Sequence, residues 1–220
     1  MSPRHHPSEA TILAYAAGAL HEGLSLVVAS HLAFCPDCRG AVAGGEAIGG
    51  NLLDELPPAA LADGARDRVL ARLDTALSGP PRPSPPPADP ENLVPAPLAR
   101  YLRRDLEAID WHLLGPGMRQ FEVMPHDLLA GGNLRMLRLA PGRKMPRHGH
   151  NGTELTLVLC GSYSDELGRF VRGDVCETDD EIVHQPISDR GQDCVCLIAT
   201  EGPLKFDGVL ARMYQRFSGL

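Results

Sequence analysis

Two groups of histidine, cysteine and carboxylate side chains stand out in this chain of 220 residues. The first is His31-x3-Cys35-x2-Cys38. A histidine and a cysteine four apart share one face of a helix. Pro36 suits the first turn of a following helix, where its missing N–H is not needed. Cys35 and Cys38 then straddle a helix junction, and three soft donors converge on one point. A tetrahedral zinc ion needs a fourth ligand. Before residue 112 the other histidines are His5, His6 and His21, and His6 is the best placed. The candidate set is therefore His6, His31, Cys35 and Cys38. A C-x-x-C pair also serves as a redox couple or as two small buried residues. The redox form accompanies a βαβ pattern, which the flanking sequence lacks.

The second group is Gly142-x5-His148-x-His150-x3-Glu154-x6-Gly161, followed by His184 beyond Gly173-Asp174. Residues two apart on a strand project to one side, so His148 and His150 act together. Asn151-Gly152 bends the chain and returns Glu154 to the pair. Three neutral imidazoles and one carboxylate suit a divalent ion: Zn, Fe, Mn and Ni are all compatible with these donors. Four-coordinate zinc would close the site, whereas expanded coordination would activate water or dioxygen. The alternative is a metal-free barrel with unused histidines. Cys194 and Cys196 put two sulfurs on one side of a strand, either as small buried residues, the favoured reading, or as an oxidant-sensing pair. Cys160 and Cys176 stand isolated.

The elements that must carry these residues change in kind along the chain. Ser8 is a plausible cap for a first helix, and a second fits Glu22 to Phe34. A third starts at Pro36 and is expected to end at the Gly44-Gly45 and Gly49-Gly50 pairs. Residues 51–58 read as turn. A fourth helix spans Ala59 to Leu77, its stripe of Leu61, Ala65, Val69, Leu73 and Leu77 either packing on the bundle or kept for a partner. Residues 79–97 hold nine of the 20 prolines, which makes them a semi-rigid linker. A short helix or irregular entry over 98–106 follows. Beyond Trp111 come short apolar runs, such as 134–139, 155–159 and 195–199, separated by Gly, Pro, Asn and Asp. That spacing indicates an all-β barrel or sandwich. The expected fold is thus α+β in two domains. A small four-helix zinc domain occupies 1–78, a Pro-rich linker 79–97 and an all-β domain 98–220.

The formal net charge is −7, and residues 1–78 carry five Arg against nine Asp and Glu. That balance disfavours direct nucleic-acid binding and suits a basic protein partner. The amino terminus lacks the apolar segment of a signal peptide, and no run approaches the roughly 20 apolar residues of a membrane span. A cytoplasmic protein is expected.

Helix, H-x3-C-x2-C, helix resembles the zinc-binding anti-sigma domain of bacteria. The string from Gly142 to Gly161 matches the first cupin motif residue for residue. The second cupin motif is kept in part: Gly173, Asp174 and His184 are in place, while Asp179-Asp180-Glu181 replaces the usual P-x-G. Together these features resemble the ChrR-type anti-sigma factors, and the likeness extends over the whole chain, including the tail from Ala211 to Leu220. The resemblance implies a zinc ion at His6, His31, Cys35 and Cys38. It also implies zinc or another divalent transition metal at His148, His150, Glu154 and His184 in a cupin (jelly-roll) barrel. It further implies a 1:1 complex in which the helical domain keeps an extracytoplasmic-function (group IV) sigma factor from core RNA polymerase and promoter DNA. The cupin would release it under photooxidative stress, chiefly singlet oxygen. On this view the protein is not an enzyme. The opposing class is a metal-dependent cupin enzyme, of dioxygenase or isomerase type, with a helical tether.

Overall fold

The structure, a computed structural model, describes residues 2–76, 94–102, 109–124 and 132–206. In α1 (Glu9–Ala16) the Ser8 hydroxyl accepts the Thr11 N–H at 3.2 Å, the expected cap. Gly18, at φ +67°, turns the chain after it. Helix α2 (Glu22–Leu32) buries Leu24, Val27, Val28 and His31. Cys35 then caps α3 (Pro36–Asp54), with Pro36 in its first turn.

Helix α3 runs through both glycine pairs, contrary to the expectation that they stop it, and residues 51–54 are its last turn rather than a loop. The reason is packing. A Cβ on Gly45 would lie 2.9 Å from the Ala16 Cβ, so the missing side chain lets α1 and α3 approach closely. Helix α4 (Ala65–Ala76) starts later than expected because Gly64, at φ +70°, breaks the helix before it. Helix α5 (Ala96–Leu102) begins within the span expected as linker, and Leu98 and Leu102 are buried. Residues 79–93 of that linker, residues 103–106 of the expected entry segment and the tail lie outside the described residues.

Among the described residues a six-stranded sheet has the order β1-β2-β3-β10-β5-β8. Its members are β1 (His112–Gly115), β2 (Met118–Met124), β3 (Asn133–Leu139), β5 (Glu154–Cys160), β8 (Val175–Thr178) and β10 (Cys194–Thr200). A three-stranded sheet joins β7 (Gly168–Val171), β6 (Ser162–Asp165) and β9 (Ile187–Ser188), and β11 (Lys205–Phe206) pairs with β4 (His148–Gly149). Every pairing is antiparallel. Tyr163 and Phe170 of the smaller sheet share a buried cluster with Leu137, Leu139 and Val158 of the larger, which closes the barrel interior.

Strand β5 explains why an unbroken apolar run can be a strand in an antiparallel sheet: both of its faces are covered. Leu155, Leu157 and Leu159 join one cluster with Val27 and Val28 of α2 and with Leu98 of α5. Glu154, Thr156 and Val158 turn inward, the first two to a cavity and the third to the interior cluster. Strand β10 behaves likewise, with Val195, Leu197 and Ala199 toward the helices and Cys194 and Cys196 inside. The helical region therefore packs on the outer face of the larger sheet and shares its core.

Candidate metal centres

The structure brings both predicted sets together. The ligand atoms of His6, His31, Cys35 and Cys38 lie within 4.8 Å of one another, and so do those of His148, His150, Glu154 and His184. In the first set, His31 Nε2 is 3.3 Å from Cys38 Sγ, and His6 Nδ1 is 3.4 Å from both Cys35 Sγ and Cys38 Sγ. The α2–α3 junction produces this convergence: His31 sits in the last turn of α2, and the Cys35 sulfur accepts the Cys38 N–H at 3.3 Å. His31 and Cys35 are fully buried, whereas His6 is exposed and closes the set from the surface side.

The tautomers fit metal ligation. His31 Nδ1 lies 2.8 Å from the Gly173 carbonyl, so it is the N–H donor and Nε2 presents its lone pair to the cluster. Burial lowers the His31 pKa, which favours the neutral, ligating form. Burial also pushes the Cys38 thiol up to about 12, helped by its hydrogen bond to Cys35. A cation is what turns such a thiol into a thiolate ligand.

The second set is wholly buried. His148 Nδ1 donates to the Pro146 carbonyl at 2.8 Å, and His184 Nδ1 to Asp165 Oδ2 at 2.9 Å. Their Nε2 lone pairs then face each other at 3.2 Å, and His150 Nε2 is 3.2 Å from His184 Nε2. Nitrogens bound to one tetrahedral zinc ion at about 2.0–2.1 Å sit about 3.3 Å apart, so this repulsive arrangement matches the edge of a shared coordination shell. Burial acts on Glu154 to raise its pKa, but the hydrogen bond and charge of His150, with His148 and His184 beyond, bring it down to about 2. The carboxylate is ionised and ready to bind a cation.

Sequence reasoning missed Asp165, which nothing marked as a partner of His184. Its side chain is fully buried, and a carboxylate behind a ligating histidine fixes the ring and raises its basicity. Asp165→Asn is expected to weaken metal uptake by the second set about 10–100-fold without affecting the first, as competition with a chelator would measure. The replaced stretch of the second motif forms its own turn: Asp179 Oδ1 accepts the Glu181 N–H at 3.0 Å, and His184 still reaches the cluster. Cys176 is not isolated, as expected from sequence, but belongs to the interior cluster with Cys194 and Cys196. The last two have sulfurs 3.7 Å apart.

The two sets are also joined. Asp174, which shares the β7–β8 turn with Gly173, accepts the backbone N–H groups of Arg4 at 2.7 Å and His5 at 3.2 Å. Glu177 of β8 accepts the Ser8 N–H at 2.6 Å and the Thr11 hydroxyl at 2.8 Å. One residue further, Thr178 pairs with Glu154. A Cβ on Gly173, at φ +92°, would lie 3.2 Å from Phe34 and Pro3, so the glycine admits the helical region. Burial tends to raise the Asp174 pKa, but the N–H groups of Val171, Arg4 and His5 and the His5 ring hold it below the usual aspartate range. A depressed carboxylate contributes stability above its unfolded pKa and loses it as pH falls through the folded value. Exchange protection of the Arg4 and His5 amides is therefore expected to persist through the ordinary aspartate range and to be lost only as the pH falls below it. Asp174→Asn should reduce it at neutral pH as well.

A cavity of about 450 Å³ opens on His148, Glu154 and His184, and Arg135, Thr156 and Tyr163 also line it.

The matched family description is "ChrR Cupin-like domain", over residues 101–204. The anti-sigma-E factor ChrR of Cereibacter sphaeroides is 45% identical over 220 residues, which cover 99% of this chain and 99% of that protein. The chain belongs to the ChrR family of anti-sigma factors. The crystal structure of Rhodobacter sphaeroides SigE in complex with the anti-sigma ChrR matches it with a TM-score of 0.76 and 42% identity, covering 90% of this chain and 98% of that one. The ChrR likeness accounts for both halves, the helical region and the cupin barrel. No helix among the described residues is long and apolar enough to cross a membrane.

Proposed function

We propose that this chain is an anti-sigma factor that sequesters an extracytoplasmic-function sigma factor through residues 1–78. On this reading, zinc at His6, His31, Cys35 and Cys38 fixes the binding unit, and residues 98–220 form the response module. Family membership over the full length supports the role. The observation that carries the contact surface is the exposed apolar face of α3 and α4: Ile48, Leu52, Leu53, Val69, Leu70 and Leu73 are 47–68% exposed. Side chains of this size left in water mark a protein partner. The cupin set His148, His150, Glu154 and His184 takes zinc or another divalent ion, which supplies a fixed positive charge inside the barrel.

Release under oxidative stress, singlet oxygen included, belongs to this cupin. Its interior holds oxidisable groups: the three histidines, Cys176, Cys194 and Cys196, Met118, Met145 and Tyr163. The path outward is the β8 strand: Thr178 pairs with Glu154, its neighbour Glu177 holds Ser8 and Thr11, and Asp174, just before the strand, holds Arg4 and His5. The test is His148→Ala, read by sigma-factor binding and by release after photosensitised singlet oxygen. The variant should hold the sigma factor within about twofold of the parent, because the site lies away from the exposed face, and should fail to release it. Loss of binding would contradict the division of roles.

A further inference from the structure

We propose that the β7–β8 turn of the barrel, residues 172–175, is the outer shell of the zinc set in the helical region, so that the barrel sets how tightly His6 and His31 hold the ion. The inference rests on the metal reading above and names how that site is regulated.

Two of the four ligands are placed from the barrel side. His31 is fully buried in the last turn of α2, and its Nδ1 donates to the Gly173 carbonyl at 2.8 Å, across 142 residues of sequence. A partner behind a ligating imidazole fixes the ring and raises its basicity. His6 belongs to the segment before α1, and that segment is pinned on both sides of it. Asp174 Oδ1 accepts the Arg4 and His5 N–H groups at 2.7 and 3.2 Å, and the His5 carbonyl accepts the Val175 N–H at 3.1 Å. Beyond His6, Glu177 accepts the Ser8 N–H at 2.6 Å. His6 itself is exposed, so its place is owed to these bonds more than to packing around its ring. A ligand on an unpinned segment would have to be ordered at every binding event, at a cost in affinity.

The turn is in its own right fixed to the strand that carries Glu154. Val158 of β5 donates its N–H to the Asp174 carbonyl at 3.1 Å and accepts the Gly173 N–H at 2.8 Å. On the other side, the Arg172 guanidinium lies 5.3 Å over the ring of Phe34, which precedes the ligand Cys35. One turn of the barrel therefore reaches both histidine arms of the set, and a shift of this turn slackens His6 and His31 together. The two sulfurs, by contrast, come from the α2–α3 junction.

The test is competition with a zinc chelator on the full-length chain. Cobalt substitution tells the sets apart, because the first alone contains sulfur and gives a thiolate-to-cobalt band. Asp174→Asn replaces one acceptor oxygen with a donor where the Arg4, His5 and Val171 N–H groups meet. It should weaken zinc at the first set by about tenfold or more, while the second set keeps its affinity within about twofold. In nitrogen-15 spectra the zinc-loaded parent should show a slowly exchanging His31 Nδ1–H proton coupled to the Gly173 carbonyl, and its exchange should quicken in the variant. Glu177→Ala frees Ser8 and Thr11. It should weaken first-set zinc by about threefold or more, and it decides the matter if Asp174→Asn does not fold. Parental zinc affinity at the first set in these variants would overturn the proposal and leave the metal reading standing. Equal losses at both sets would mean a general loosening of the fold and would overturn it too. A folded parent that takes no ion at the first set would overturn both the proposal and the metal reading.

Discussion

Replacing Cys35 and Cys38 together with serine is expected to remove one of two bound metal ions and to weaken sigma-factor binding by about 100-fold or more. The size of the effect follows from how little else holds α3. Of its 19 residues, Cys38 and Val42 are the buried ones. It is further held by the close approach of Gly45 to Ala16 and by Arg39, whose Nη1 donates to the Leu32 carbonyl at 2.6 Å. Apparent zinc-binding free energies of about 10–16 kcal/mol in small zinc domains exceed what two buried side chains supply, at about 1.5–3 kcal/mol each. Without the ion, α3 loses its anchor at Cys35 and Cys38, and its exposed apolar side chains lose their placement. Helix α2 should stay in place, because it is sealed against β5 and β10 by Val27 and Val28. The cupin ion should stay too. Metal analysis and a binding titration on the same sample check both statements. A double variant that binds at parental affinity would separate zinc from the function.

The second large effect is expected on the exposed face itself. Leu53→Asp and Leu73→Asp should each weaken sigma-factor binding by about 30-fold or more, the scale of an apolar anchor lost from an interface centre. Both side chains are more than half exposed, at 68% and 54%. The chain's own stability should therefore change by no more than about 0.5 kcal/mol. Circular dichroism melting and binding titration together separate the two effects. Equal losses of melting temperature and binding would mean that the face packs within the protein. Unchanged binding in both variants would move the contact elsewhere.

Both ligand sets were legible from spacing because short-range geometry determines them. His31 and Cys35 lie a helical turn apart, and His148 and His150 share a strand face. His6 could be picked because few histidines compete with it in the first half. The strands around Leu134, Leu155 and Val195 were legible as apolar runs bounded by turns. What stayed hidden depends on contacts between distant segments. Gly45 looks like a helix breaker until Ala16 is seen beside it. Asp165 is one acidic residue among many until His184 turns toward it, and Arg135 is one of many arginines until its strand face is known to point inward. The Pro-rich stretch suggested separation, yet Asp174 and Glu177 bind the amino-terminal segment directly. No local pattern encodes a carboxylate that waits for backbone N–H groups some 170 residues away.

The most direct measurement is X-ray absorption with metal quantification on the chain purified in complex with its co-expressed sigma factor. The account predicts one sigma factor and two ions per chain, one in a shell of two sulfurs and two nitrogens and the other in a shell of nitrogen and oxygen alone. A folded chain free of metal that still holds the sigma factor would contradict it.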